Sequence, residues 1–125
     1  MRKIIFFIAL AAAPIAAAHA QNMTVADFVS RTDAMHAAGR GIASPEYQRL
    51  QRELSETAKM ARNERRLARS QNRPPAACLR PNVRATTSDE LARHLRSIPA
   101  EEARTMTVHQ AYMLLMARKF PCRNG

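Results

Sequence analysis

Four helix-start signals divide this chain, and nothing between them reads as a strand. Thr24 stands three residues before Asp27, Thr87 three before Glu90, and Thr107 three before Gln110. In each pair the hydroxyl can accept from an early backbone N–H while the later side chain reaches back. The fourth signal is Ser44-Pro45-Glu46: a capping serine, a proline in the first turn and an acid near the positive helix end. The apolar residues are mostly Ala, Leu and Met, which favour helix. No stretch shows sustained alternation with Val, Ile or Thr. The expected class is all-α, a small helical bundle of four to five helices.

Apolar spacing gives each helix a face. Val25, Phe28, Val29, Thr32, Met35 and His36 share one side of the first helix, which Gly39 and Gly41 should end. His36 is expected at the edge of the core. The second helix should run from Ser44 to about Asn72, with Pro74-Pro75 stopping it. Tyr47, Leu50, Leu54, Ala58 and Ala61 form its buried stripe. Arg65 falls on the same stripe and Leu67 points away, so the distal half is expected to project or fray. Leu91, Leu95 and Ile98 give the third helix its apolar side, and Pro99 opens a short acidic turn at residues 100–103. Residues 111–117 are nearly all apolar, as in a helix central to its bundle or one shared across a homodimer.

The N-terminus carries an export signal. Arg2 and Lys3 precede an apolar run at residues 4–13, and Ala18-His19-Ala20 supplies small residues at a cleavage site. The run is short for a membrane span. Residues 1–20 are expected to be a secretory signal peptide and residues 21–125 a single helical domain in the periplasm. In that oxidising setting, Cys78 and Cys122 should form one intramolecular disulfide. Free thiols, an intermolecular bond and metal ligation are the alternatives. There is no CxxC pair and no zinc-ligand spacing.

Charge supplies the functional lead. Removing Arg2 and Lys3 lowers the formal net charge from +10 to +8. Arg52, Lys59, Arg62, Arg66, Arg69 and Arg73 form one band along the second helix, mostly three or four residues apart. Arginine favours bidentate contact with carboxylate or phosphate. The band is therefore a candidate docking surface for an anionic partner; the alternative is a merely solvated face. Export argues against nucleic acid, and no aromatic residues interleave the band for base stacking. Peripheral contact with anionic lipid, lipopolysaccharide or cell-wall polymer fits the charge.

Catalytic chemistry is not expected. There is no Ser/His/Asp arrangement and no glycine-rich phosphate loop. Met106, His109, Met113 and Met116 share a broad face of the last helix, and thioethers with imidazole suit Cu(I). Methionine at helical spacing is ordinarily core filler, and Met106 precedes the cap. No cofactor or metal is expected on this reading.

From Cys78-Leu79-Arg80-Pro81 through Thr87-Ser88-Asp89-Glu90-Leu91 and Ile98-Pro99 to Phe120-Pro121-Cys122, the chain resembles the C-terminal half of the Rap/Tai family of type VI secretion amidase immunity proteins. The resemblance covers residues 78–122. It implies an exported helical bundle with a structural disulfide. It also implies a function: binding and blocking a secreted peptidoglycan amidase. The first half departs from the family pattern, lacking a further cysteine near a Gly-Tyr segment.

Overall fold

The computed structural model describes residues 23–123. The expected signal peptide, residues 1–20, lies outside them. The chain forms α1 (Val25–Ala37), α2 (Pro45–Ser70), α3 (Ser88–Ser97), α4 (Ala100–Ala103) and α5 (Val108–Lys119). The fold is all-α, and Cys78 and Cys122 are joined with Cα atoms 5.0 Å apart.

All four helix-start signals act in the structure, but not all in full. Thr24, Ser44, Thr87 and Thr107 each accept from the backbone N–H three residues on. Only Thr107 and Gln110 form a reciprocal box, with Gln110 Oε1 accepting from the Thr107 N–H at 2.9 Å. Glu90 turns instead to Thr86 Oγ1 and Lys119 Nζ, 2.9 and 2.7 Å away. A charged partner within reach outcompetes a neutral backbone donor.

The helix ends are equally specific. Gly39, at φ +63°, closes α1 as its N–H donates to His36 O and that of Arg40 to Met35 O. Asn72, at φ 52°, does the same for α2, with Asn72 N–H on Arg69 O and Arg73 N–H on Ala68 O. Both are left-handed caps that satisfy the last carbonyls. The helix thus stops at Ser70, before the prolines are reached.

One arrangement was invisible to periodicity. The caps of α1 and α5 lie side by side in an antiparallel bridge between Thr24 and Thr107. Val25 N–H donates to Met106 O and Val108 N–H to Met23 O, each at 2.9 Å. Each helix start therefore satisfies a free N–H of the other. Val25 and Val108 behind them are fully buried.

The core runs along α5, which packs on α1, α2 and α3. Ala111, Tyr112, Leu115 and Met116 are buried, while Leu114 is half-exposed. His94 of α3 is buried against this helix, its Nε2–H donating to Ala111 O at 2.8 Å. Two expectations are corrected. His36 lies in solvent, because the buried face of α1 is confined to Val25, Phe28 and Met35. The distal half of α2 neither projects nor frays: Ala61 and Ala68 are buried, and Glu64 bonds to His109 of α5. Alanine carries too little hydrophobicity to mark a face, yet its small size permits close approach. Glu53 and Thr57 are buried on the same side of α2.

Candidate functional site

The solvent face of α2 carries the basic band. Arg52, Lys59, Arg62, Arg66 and Arg69 are exposed, and Arg73 follows just past the helix end. Arg52 and Arg69 lie 17 positions apart, which is about 26 Å along the axis. The core residues Leu50, Thr57, Ala61 and Ala68 occupy the opposite side at helical spacing.

Of the acids of α2, Glu56 borders this face and the other three engage residues away from it or are buried. Glu46 pairs with Arg31 at 3.3 Å, Glu56 with Lys59 at 2.8 Å and Glu64 with His109 at 2.9 Å. Glu53 is 4 % exposed, and burial pushes its carboxyl above the ordinary value. Lys59 is therefore the one member of the band with a carboxylate partner among the described residues. Arg66 donates to Asn63 Oδ1 and Arg73 to Gln71 Oε1, both neutral. Arg52, Arg62, Arg66, Arg69 and Arg73 make no ion pair among the described residues.

Such a face does not help the helix. Arg62 and Arg66 are like charges four apart, an arrangement that costs a few tenths of a kcal/mol. Arg69 has a local benefit, lying in the last turn where a cation complements the helix dipole. The remaining arginines are ready to meet external carboxylates or phosphates without breaking internal pairs.

A second feature lies on the other flank of α2. An open groove of ≈ 770 Å³ is lined by Glu64, Glu102, Met106, His109, Met113 and Leu114, among others. Met106, His109 and Met113 thus line one groove, His109 and Met113 as their spacing of four on α5 requires and Met106 from the turn before the helix cap. Met116 does not join them: it is fully buried in the core. For Met116 the alternative reading, core filler, is the one the structure shows. Glu64 and His94, which no sequence pattern singled out, each engage α5 through a histidine ring.

Among the described residues no three His, Cys, Asp or Glu side chains cluster as for a metal ion, and no helix is long and apolar enough to cross a membrane. No family model, curated protein or solved structure matches this chain.

Proposed function

We propose that this is an exported, non-enzymatic binding protein that docks through the basic band of α2 on an acidic face of a protein partner. The observation that carries this reading is an excess of unpaired positive charge: four arginines of α2 and Arg73 just past its end are exposed and make no ion pair among the described residues, while the acids of α2 are buried or already paired, Glu56 with Lys59 of the band itself. Guanidinium groups engage carboxylates bidentately, and a one-signed surface speeds encounter and selects partners. The resemblance of residues 78–122 to Rap/Tai proteins supplies a partner class, a peptidoglycan amidase effector. On this reading the mature chain acts in the periplasm, and binding covers the amidase active site.

Envelope polymers and anionic lipid are weaker occupants. Along the band there is no run of apolar side chains to anchor the helix at an interface; Leu67 is the exposed large apolar residue of α2.

The test is digestion of purified peptidoglycan sacculi by a type VI amidase effector, titrated with this protein at low salt. Stoichiometric inhibition is expected, with a large loss in the Arg62→Glu/Arg66→Glu/Arg69→Glu variant and unchanged helicity by circular dichroism. Undiminished inhibition by that variant removes the band from the interface. Absence of inhibition, together with salt-sensitive co-sedimentation on phosphatidylglycerol vesicles, replaces the protein partner with the envelope surface.

A further inference from the structure

We propose that Met106, His109 and Met113 form a binding site for a soft monovalent metal ion, Cu(I). The site is separate from the basic band and does not depend on the reading of that band.

The argument begins with the ring of His109. Its Nε2 lies 2.9 Å from Glu64 Oε1, and a carboxylate can only accept, so Nε2 carries the proton. In the neutral ring the lone pair is then on Nδ1. That atom is buried and has no hydrogen-bond partner among the described residues. The side chain as a whole is 14 % exposed. A buried nitrogen lone pair without a donor is uncommon, because its desolvation goes uncompensated. A carboxylate bound to the far nitrogen is also the usual arrangement behind a metal-ligating histidine, since it fixes the tautomer and makes the ring more basic.

The neighbours supply sulfur. Side chains on a helix lean toward its N-terminus, so Met113 on α5 leans toward His109, one turn before it, while Met106 is brought in by the turn that precedes the Thr107 cap. All three line the same groove. Met106 and Met113 are partly exposed there, in contrast to Met35 and Met116, which are buried in the core. Two thioethers and an imidazole suit Cu(I), which prefers soft ligands. Zinc would lack a ligand set, because no three His, Cys, Asp or Glu side chains cluster among the described residues. Glu64 and Glu102 border the groove and give it negative charge on a chain that is otherwise strongly basic. That local field favours a cation.

Leucine replaces methionine with nearly equal volume, so Met106→Leu/Met113→Leu should preserve the fold while removing both sulfurs. The disulfide-intact mature chain is titrated with Cu(I) against bicinchoninate, using ascorbate, which leaves the disulfide intact. One Cu(I) per chain is expected. The double leucine variant and His109→Ala should lose it. Glu64→Gln should weaken it roughly 10–100-fold, the usual cost of losing a group that orients a ligand. Met116→Leu should bind as the parent does. Ag(I), a redox-inert substitute, should shift the methyl NMR signals of Met106 and Met113 and leave those of Met35 and Met116 in place. Circular dichroism melts identify any variant that has lost its fold. The proposal is overturned by no one-to-one uptake, by equal affinity in the folded double leucine variant, or by Zn(II) binding as tightly as Cu(I).

Discussion

Glu90 and Glu53 have opposite electrostatic surroundings, and stability should depend on pH through them with opposite signs. Glu90 is hydrogen-bonded to Lys119 and Thr86, which hold its carboxyl below the ordinary 4.5. A carboxyl depressed in the folded state stabilises the fold above its unfolded value and loses that contribution as pH falls through the folded one. Glu53 is raised above 4.5 by burial, so ionising it costs stability as pH rises past 4.5 toward the folded value. Glu90→Gln should therefore lower the melting temperature at pH 7 and converge on the parent near pH 3. Glu53→Gln should raise it at pH 7 and converge likewise. Melting curves at both pH values check the pair; equal shifts at the two pH values would contradict it. Asp33 is held low by Arg96, whose two guanidinium nitrogens contact it at 2.6 and 3.3 Å, and it should behave as Glu90 does. None of this was legible in the sequence. The cap at Thr107 was, because its partner is three residues away. The partner of Glu90 is 29 residues away and that of Asp33 is 63, so only the assembled bundle decides their charge environment.

At the scale of elements, the distal half of α2 decides how the band is presented. Ala68 is 5 % exposed and Leu67 is 51 % exposed, though they are neighbours. Ala68→Glu should destabilise the protein by about 2–4 kcal/mol, because it buries a carboxylate in place of a methyl group. Leu67→Glu should stay within roughly 0.5 kcal/mol of the parent. Urea unfolding midpoints measure both. Equal, small effects would mean that the distal half stands free and that the band is not rigidly held. Hydropathy misread this segment because it weighs alanine lightly and counts Arg65 as polar. In the fold Arg65 is partly buried at the margin of the contact, where its aliphatic stem can pack while its head stays in water. The basic band itself was legible, since exposed residues keep the spacing that the sequence gives them. The grouping of Met106, His109 and Met113 was half legible. Spacing placed His109 and Met113 on one face, but the approach of Met106 from before the cap, the bond from Glu64 and the loss of Met116 to the core depend on how the chain packs.

For the whole molecule, the staple between Cys78 and Cys122 ties the end of α5 to the loop before α3. It is reinforced by Cys78 N–H donating to Phe120 O at 2.8 Å. Closing a loop of sequence separation 44 restricts the unfolded chain by about 4 kcal/mol on the chain-entropy account. A small domain has only about 5–15 kcal/mol in all. Cys78→Ala/Cys122→Ala should thus lose much of the stability, measured as a drop in urea midpoint, while keeping its helical spectrum where it still folds. On the proposed function, the bundle is exported and oxidised outside the cytoplasm, with the arginines of α2 turned to solvent. Intact-mass spectrometry of protein drawn from separated periplasmic and cytoplasmic fractions and alkylated without reductant reads both halves of that reading at once. The expected species begins at Gln21 and carries no alkyl groups. A cytoplasmic chain beginning at Met1, or one alkylated on both cysteines, would contradict it.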